Sequence, residues 1–222
     1  MMSLPDLFIP TIPGVNSANL EYALSPFFNI IRSSLPPDHL EGVRIVLPGN
    51  GSFGAYTTFL RERGWYSYLS ELKSNSHFYR VLAICSGFQS LCANSSESVG
   101  FTGMNLYPFE FQSLRNPPFE LPSVINLGRL DTSVVPGTSF VHPVHDLWSN
   151  PSLSMPYFVH GYACFVPDLP VIVSDFDLLF VSSVNNVQFL AGVLDKSLLA
   201  LQFHPELSGP EWRSTIVKFL LD

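Results

Sequence analysis

Three residues of this chain have the chemistry of a nucleophilic catalytic site: Cys85, His204 and Glu206. A cysteine attacks a carbonyl carbon efficiently when a neighbouring base takes the thiol proton, and histidine is the most common base. A carboxylate beside the imidazole fixes its tautomer and stabilises the imidazolium that forms. The three residues are therefore candidates for a triad, provided that the fold brings Cys85 to a His–Glu pair far along the chain.

Cys85 lies where the sequence predicts a sharp turn from a strand into a helix. Residues 81–84 form a short apolar run typical of a buried strand, and a helical pattern covers residues 87–91. Ala83 and Gly87 place small residues two positions before and after the cysteine, which is the pattern of a nucleophile elbow. The start of the helix would lower the thiol pKa. A buried structural cysteine in an ordinary turn is compatible with the same segment.

His204 follows the apolar run of residues 198–203, so it is expected at the carboxyl end of a strand. In an open α/β sheet this edge is where functional sites form. Glu206 stands two residues further on, and Pro205 stiffens the link between them. A solvent-exposed histidine in a turn is the alternative for His204 alone, but the His-Pro-Glu sequence together with the cysteine elbow favours the triad.

A glycine-rich loop, residues 48–54 with the sequence PGNGSFG, follows the apolar strand predicted at residues 43–47. Its glycines match the dinucleotide-binding pattern G-x-G-x-x-G, but that pattern usually opens the first strand–helix unit, and here a strand and a helix precede it. Glycines also allow a backbone N–H to turn toward a developing oxyanion. We therefore expect an oxyanion-binding loop near Cys85, with a simple tight turn as the alternative.

The elements that must position these groups predict one α/β domain over residues 1–222. Strand–turn–helix units in the first half indicate a mostly parallel central sheet with helices on both faces, and the strand-rich second half adds antiparallel strands. Strands are predicted at residues 7–12, 43–47, 81–84, 157–165, 171–174, 178–184, 187–194 and 198–203, with a hairpin turn at Asp195 and Lys196. Helices are predicted at residues 20–31 (kinked at Pro26 and capped by Asn19), 56–63, 65–72 and 211–221.

Composition narrows the function classes. With 46% hydrophobic and 13% charged residues, the chain of 222 residues can build a large core, which argues against disorder. The net charge of −7 argues against nucleic acid as a partner. We expect neither a membrane-spanning segment nor a leader peptide, because the chain has no long apolar run and no charged start. Three cysteines predict reduced thiols in a cytoplasmic protein.

Four segments together resemble the triad (class I) glutamine amidotransferases, and among them the glutaminase subunits of imidazole glycerol phosphate synthase. The Cys elbow and His-Pro-Glu are specific for the superfamily, and the other two segments point to this subunit. The segments are LPGNGSFG at 47–54, ICSGFQSL at 84–91, YFVHGY at 157–162 and QFHPELS at 202–208.

This resemblance implies a role for each matching residue. Cys85 would attack the glutamine carboxamide and form a glutamyl thioester, and His204, oriented by Glu206, would pass the proton to the departing ammonia. Gly51 and the N–H of Ser86 would form the oxyanion hole. The resemblance implies no cofactor and no metal, glutamine contacts at Gly49, Gln89, Glu97, Gly161 and Tyr162, and a partner contact at Asn19.

The resemblance also implies a partner. Ammonia would pass to a TIM-barrel cyclase subunit that makes imidazole glycerol phosphate and aminoimidazole carboxamide ribotide in histidine biosynthesis. The Pro-His-x-Gly-Trp-Asn segment that faces the synthase in this family is absent, and residues 121–130 (LPSVINLGRL) stand near its place. Two alternatives stay open: a paralogous subunit that feeds another synthase, such as one for amidino sugars of surface polysaccharides, or a catalytically degenerate binding subunit. A metal site at His142, His145 and Asp146 is the weakest interpretation.

Overall fold

The computed structural model describes residues 3–74, 78–122, 125–135, 155–166 and 176–222. The first half contains β1 (Asp6–Pro10), α1 (Ala18–Leu24), β2 (Asn29–Ser33), β3 (Val43–Leu47), α2 (Phe53–Glu62), α3 (Trp65–Ser74), β4 (Tyr79–Ile84), α4 (Ser86–Leu91), β5 (Cys92–Ser95) and β6 (Tyr107–Ser113). The second half contains β7 (Asn126–Arg129), β8 (Thr132–Val135), β9 (Tyr157–His160), β10 (Tyr162–Ala163), β11 (Leu178–Val184), β12 (Val187–Asp195), β13 (Leu198–Leu201), a 3₁₀ turn (Pro205–Leu207) and α5 (Pro210–Leu221).

An eight-stranded sheet runs through the domain in the order β2-β1-β3-β4-β13-β12-β11-β8. The first five of these strands are parallel, and β12, β11 and β8 extend the sheet with antiparallel pairings. The mostly parallel sheet with antiparallel strands from the second half is thus confirmed. Because β13 pairs with β4, the residues that follow these two strands meet at one edge of the sheet.

Helices cover both faces of the sheet, as expected, because each central strand sends alternate side chains to opposite sides. On β4, Val81 and Ala83 pack in the cluster that contains the apolar residues of α2 and α3. Leu82 and Ile84 pack in the cluster that contains those of α1 and α5. Burial of each large apolar side chain contributes about 1.5–3 kcal/mol, so both layers hold β4 firmly beneath Cys85. Within the described ranges, no helix is long and apolar enough to cross a membrane.

The first predicted helix is wrong beyond Leu24. Helix α1 ends there, and Asn29–Ser33 forms β2, which pairs in parallel with β1. Pro26 has no N–H to continue the helix, and the apolar residues after it are stabilised by pairing with the sheet edge. Asn19 does not cap the helix: Ser17 is the N-cap residue, and its hydroxyl bonds the Glu21 carboxylate.

Other predicted boundaries shift by a few residues, with one larger change. The single strand expected at 157–165 is divided into β9, which pairs with β7, and β10, which pairs with β6, so neither joins the main sheet. The strand expected at 198–203 ends at Leu201. The hairpin between β12 and β13 is confirmed, but its turn lies at Lys196 and Ser197, one residue later than predicted, because Asp195 still pairs with Leu198. The strand expected at 171–174 and the metal site considered at His142, His145 and Asp146 lie outside the described residues.

Gly87 is required where α4 crosses the end of β3. A Cβ on this residue would lie 2.5 Å from the Leu47 carbonyl oxygen, which belongs to the backbone and cannot rotate away. We therefore expect Gly87→Ala to lower the free energy of unfolding by about 1–3 kcal/mol, because the helix must shift away from the sheet. Urea denaturation measures the change, and stability equal to wild type would contradict the close approach.

Candidate active site

The structure places Cys85 on a strained turn between β4 and α4. Its φ of 50° and ψ of −109° lie outside the regions that non-glycine residues usually adopt. Two backbone hydrogen bonds hold this conformation: the Cys85 N–H donates to the Leu201 carbonyl at 2.7 Å, and its carbonyl accepts from the Gln89 N–H at 2.9 Å. The elbow predicted from the small flanking residues is present, and the cysteine side chain leaves the sheet at the edge that β13 shares.

His204 reaches the same edge three residues after the end of β13. Its Nδ1 lies 2.8 Å from Glu206 Oε1, and both side chains are buried. The 3₁₀ turn that starts at Pro205 folds Glu206 back toward the ring, as the Pro-Glu spacing suggested. A carboxylate only accepts hydrogen bonds when ionised, so Nδ1 carries a proton and Nε2 is the atom that can accept one.

Gly49 shows how close the cysteine and the histidine lie. A Cβ built on this glycine would lie 3.1 Å from Cys85 Cβ and 3.3 Å from His204 Nε2. The two side chains therefore face each other across one residue that has no side chain of its own. Among the described residues, Nε2 of His204 has no hydrogen-bond partner at rest, which leaves it able to take the thiol proton.

Electrostatics at the pair favour a protonated imidazole. Burial alone would lower the pKa of His204, but the nearby Cys85 and Glu206 more than offset it, so the pKa is raised above its usual value. The Gln202 side-chain amide donates to Cys85 Sγ at 3.6 Å, a contact that stabilises negative charge on the sulfur. The imidazole can therefore keep the proton that it takes from the thiol when the cysteine attacks.

A cavity of about 260 Å³ opens beside the sulfur. It brings together Cys85 and six residues assigned from the sequence to the oxyanion hole or to glutamine: Gly51, Ser86, Gln89, Glu97, Gly161 and Tyr162. Gly49 lies between the cysteine and the histidine and is not part of the cavity lining. Asn19 is exposed on α1 and also lies outside this lining.

In the resting structure the glycine loop and the start of α2 form hydrogen bonds with the residues around the cavity. The Gly51 N–H, expected in the oxyanion hole, donates to the Ser86 hydroxyl at 2.9 Å. One oxygen of Glu97 accepts from the Phe53 N–H at 2.7 Å, which fixes the carboxylate at the start of α2. Gln89 Nε2 donates to Gln202 Oε1 at 3.2 Å. The loop thus lies beside the cysteine, but its Gly51 N–H is directed at a hydroxyl rather than into the cavity.

Strand β9 forms hydrogen bonds with both catalytic candidates, Cys85 and His204, and these contacts were not predicted from the sequence. The His204 N–H donates to the Tyr157 carbonyl at 2.9 Å, and the Ser208 hydroxyl accepts from the Tyr157 N–H at 2.8 Å. Further along the strand, Cys85 Sγ donates to the Val159 carbonyl at 3.7 Å. Residues 159–162 of the segment YFVHGY line the cavity beside the elbow.

His160, the last residue of β9, lines the cavity and is 4% exposed. Burial lowers its pKa from 6.5 to about 4; the hydrogen bond to the Tyr162 carbonyl opposes this shift, and the charge of His204 adds to it. The ring is therefore neutral at pH 7. Its Nδ1 lies 2.9 Å from the Tyr162 carbonyl oxygen, which can only accept, so the single ring proton resides on Nδ1.

A lowered histidine pKa predicts a loss of stability in acid. Below pH 6.5 the unfolded chain binds a proton at His160, whereas the folded chain binds it only near pH 4, because burial lowers the pKa. This residue's contribution, present above pH 6.5, is lost as the pH falls toward 4 and amounts to about 3 kcal/mol. We expect His160→Asn to flatten the fall in unfolding free energy between pH 7 and 4.5. Denaturation curves at the two pH values measure it, and parallel losses in both proteins would contradict the shift.

Comparisons with known proteins identify the family. No family model matches the chain. It is 30% identical over 186 residues to the imidazole glycerol phosphate synthase subunit HisH of Carboxydothermus hydrogenoformans, covering 83% of this chain and 82% of that protein. It is 34% identical over 190 residues to the subunit HisH 1 of Parasynechococcus marenigrum, covering 82% and 80%.

A solved structure supports the fold. The structure of PurLQS from Thermotoga maritima superposes with a TM-score of 0.67 at 20% identity, covering 98% of both chains. The two structures therefore share a fold. The family follows from the two HisH relatives, because the identity is at least 30% and the alignments cover most of each chain. This chain belongs to the HisH family, the glutamine amidotransferase subunits of imidazole glycerol phosphate synthase.

Proposed function

We propose that this chain hydrolyses glutamine to glutamate and ammonia with Cys85 as nucleophile, His204 as base and acid, and Glu206 as the group that orients the imidazole. The observation that carries the proposal is the meeting of Cys85 and His204 across Gly49 beside a cavity. Residues separated by more than half of the chain converge there, and each has the partner that its role requires.

The reaction follows from this geometry. His204 Nε2 takes the proton of Cys85, and Sγ attacks the side-chain carboxamide carbon of glutamine to give a tetrahedral intermediate. His204 returns the proton to the amide nitrogen, the C–N bond breaks, and ammonia is released. The glutamyl group remains on Cys85 as a thioester. A water molecule that gives its proton to His204 then attacks the thioester carbon, and the thiol departs with that proton to release glutamate.

The oxyanion hole requires a local change. The Gly51 N–H must leave the Ser86 hydroxyl before it can stabilise the oxyanion, because one N–H cannot serve both acceptors well. Loss of one oxyanion donor lowers kcat by about 10²–10³. We therefore propose that the isolated chain has low basal activity and that docking of a partner shifts the loop.

The other lining residues of the cavity suit the amino-acid part of glutamine. Glu97 supplies a negative charge for the substrate ammonium, and Gly161 and Tyr162 line the same cavity. Gln89 lines the same cavity. These assignments predict that substrates lacking the α-ammonium bind less tightly, because the Glu97 charge would then stay unpaired.

We further propose that the ammonia passes to a TIM-barrel cyclase subunit that forms imidazole glycerol phosphate and aminoimidazole carboxamide ribotide. The two relatives support this because they are named as subunits of that synthase. All three cysteines are free thiols, which fits the reducing cytoplasm where we place the complex.

The test measures glutamate release with and without a cyclase subunit from the same source, together with labelling of Cys85 by a glutamine-like diazoketone. We expect labelling of one cysteine per chain and faster hydrolysis when the cyclase is present. Labelling without stimulation would assign the chain to another synthase, and absence of both labelling and hydrolysis would show a degenerate binding subunit.

A further inference from the structure

His160 is a buried histidine at the cavity wall, and the proposed triad gives it no role. It bonds neither Cys85 nor His204 in the resting structure, yet its ring is buried at the cavity wall against two aromatic rings that also contact each other. The ring centroids of Phe158 and Phe189 lie 5.4 and 5.2 Å from that of the imidazole. A polar ring buried in apolar surroundings needs a hydrogen-bond partner for each nitrogen, because an unpaired buried polar group is costly.

Each nitrogen of His160 has one partner of the matching kind. Nδ1–H donates to the Tyr162 carbonyl at 2.9 Å. Nε2, which has no proton in this tautomer, lies 3.2 Å from Asn126 Nδ2, so the amide of Asn126 donates to it. Asn126 stands directly across from His160 in the antiparallel pairing of β7 with β9. Both sides of the ring are thereby satisfied.

The bond to Tyr162 bends the chain where the cavity wall is made. His160 ends β9 and Tyr162 begins β10, so Gly161 is the only residue between two strands that belong to different sheets. The Gly161 carbonyl is bound by the Leu114 N–H at 2.9 Å. The hydrogen bond from the His160 ring to the Tyr162 carbonyl fixes the peptide that follows Tyr162, so it holds the chain in place around Gly161 and Tyr162, which line the cavity.

We propose that His160 is a positioning residue for glutamine: its Nδ1–H donor fixes the Gly161–Tyr162 wall of the cavity, and the Asn126 amide on its Nε2 keeps the ring in the tautomer that can donate. This inference rests on the proposed function, because it assigns the wall to substrate binding. It requires His160 to act on glutamine binding, while Cys85 and His204 perform the chemistry.

Two substitutions of His160 each keep the hydrogen bond of one ring nitrogen and remove that of the other. In His160→Asn the side-chain NH₂ takes the place of Nδ1 and can still donate to the Tyr162 carbonyl, while the acceptor for Asn126 is lost. In His160→Gln the amide extends to the place of Nε2, where its oxygen can accept from Asn126, while the donor to Tyr162 is lost. Both variants remove the aromatic ring, so they share its packing loss and differ in the polar contact that is kept.

We expect His160→Gln to raise KM for glutamine about three- to tenfold, the effect of one lost hydrogen bond. We expect kcat to change less than about twofold. His160→Asn is expected to keep KM within about twofold of wild type. The rate of Cys85 alkylation by iodoacetamide, which needs the thiolate but no glutamine wall, should be the same in all three proteins.

Equal KM values for the two variants, or a fall in kcat and alkylation rate in place of a rise in KM, would overturn the positioning role. In that case His160 serves packing alone. A wild-type chain that neither hydrolyses glutamine nor reacts with the diazoketone overturns the proposed function, and the inference falls with it. Thermal unfolding of both variants shows whether the folded protein is being measured.

Discussion

Cys85→Ala is expected to lower kcat for glutamine hydrolysis by at least about three orders of magnitude, because no other group can form the thioester. The fold should persist: alanine keeps the Cβ that the strained turn already accommodates, and the backbone bonds to Leu201 and Gln89 do not involve the side chain. Glutamate release by the purified chain together with its partner measures turnover, and circular dichroism measures folding.

Cys92→Ala is the matched control for this experiment. Cys92 is also a buried free thiol, at the far end of α4, and its Sγ donates to the Phe88 carbonyl rather than contacting the triad. Burial raises the pKa of this thiol well above its usual value, so it stays protonated. We expect near wild-type turnover and a modest loss of stability. Turnover by Cys85→Ala that matches this control would remove the triad from consideration.

The core of the site could be predicted from the sequence because its signals are local. The turn at Cys85 depends on small residues within two positions, and the Glu206 contact depends on a spacing of two across a proline. The common sheet edge followed from two apolar runs, each ending just before a candidate residue. These features need neighbours in sequence only, and the parallel pairing of β4 and β13 then completes the site.

Other parts depend on contacts that no local pattern contains. The apolar residues after Pro26 fit helical spacing as well as a short strand, and pairing with β1 decides in favour of the strand. The contacts of β9 with Cys85 and His204 join segments far apart in the chain. Strand β6 is different, because apolar residues alternate with polar ones over Tyr107–Ser113, and this local pattern is enough to predict a strand.

The same distinction applies to the polar groups of the site. Gln202 follows the strand next to that of Cys85 and donates to its sulfur, but its sequence position says only that it lies near the end of an apolar run. The tautomer and the partners of His160 depend on Asn126 and on the backbone at Tyr162, which only the folded chain brings together. Local sequence therefore predicts which residues can react, while the tertiary structure decides which residues hold the substrate.

Gly49→Ala is expected to lower kcat about a hundredfold by separating the reacting groups. The added Cβ would lie 2.6 Å from His204 Cε1 and 3.1 Å from Cys85 Cβ, closer than such atoms can comfortably approach. The imidazole and the thiol must move apart or the loop must retreat, and a displacement of about 1 Å in a catalytic group can lower the rate by about 10². Steady-state glutamine hydrolysis with the partner present measures the loss.

Gly54→Ala is the control. Gly54 lies in the first turn of α2, and a Cβ added there would lie 3.1 Å from the Ser98 side chain rather than near the triad. Both variants add one methyl group near the same loop, so a loss confined to Gly49→Ala isolates the cysteine–histidine contact. The alkylation rate of Cys85 should fall in Gly49→Ala as well, because a displaced imidazolium stabilises the thiolate less. Equal hydrolysis by the two variants would mean that the contact across Gly49 has no part in catalysis.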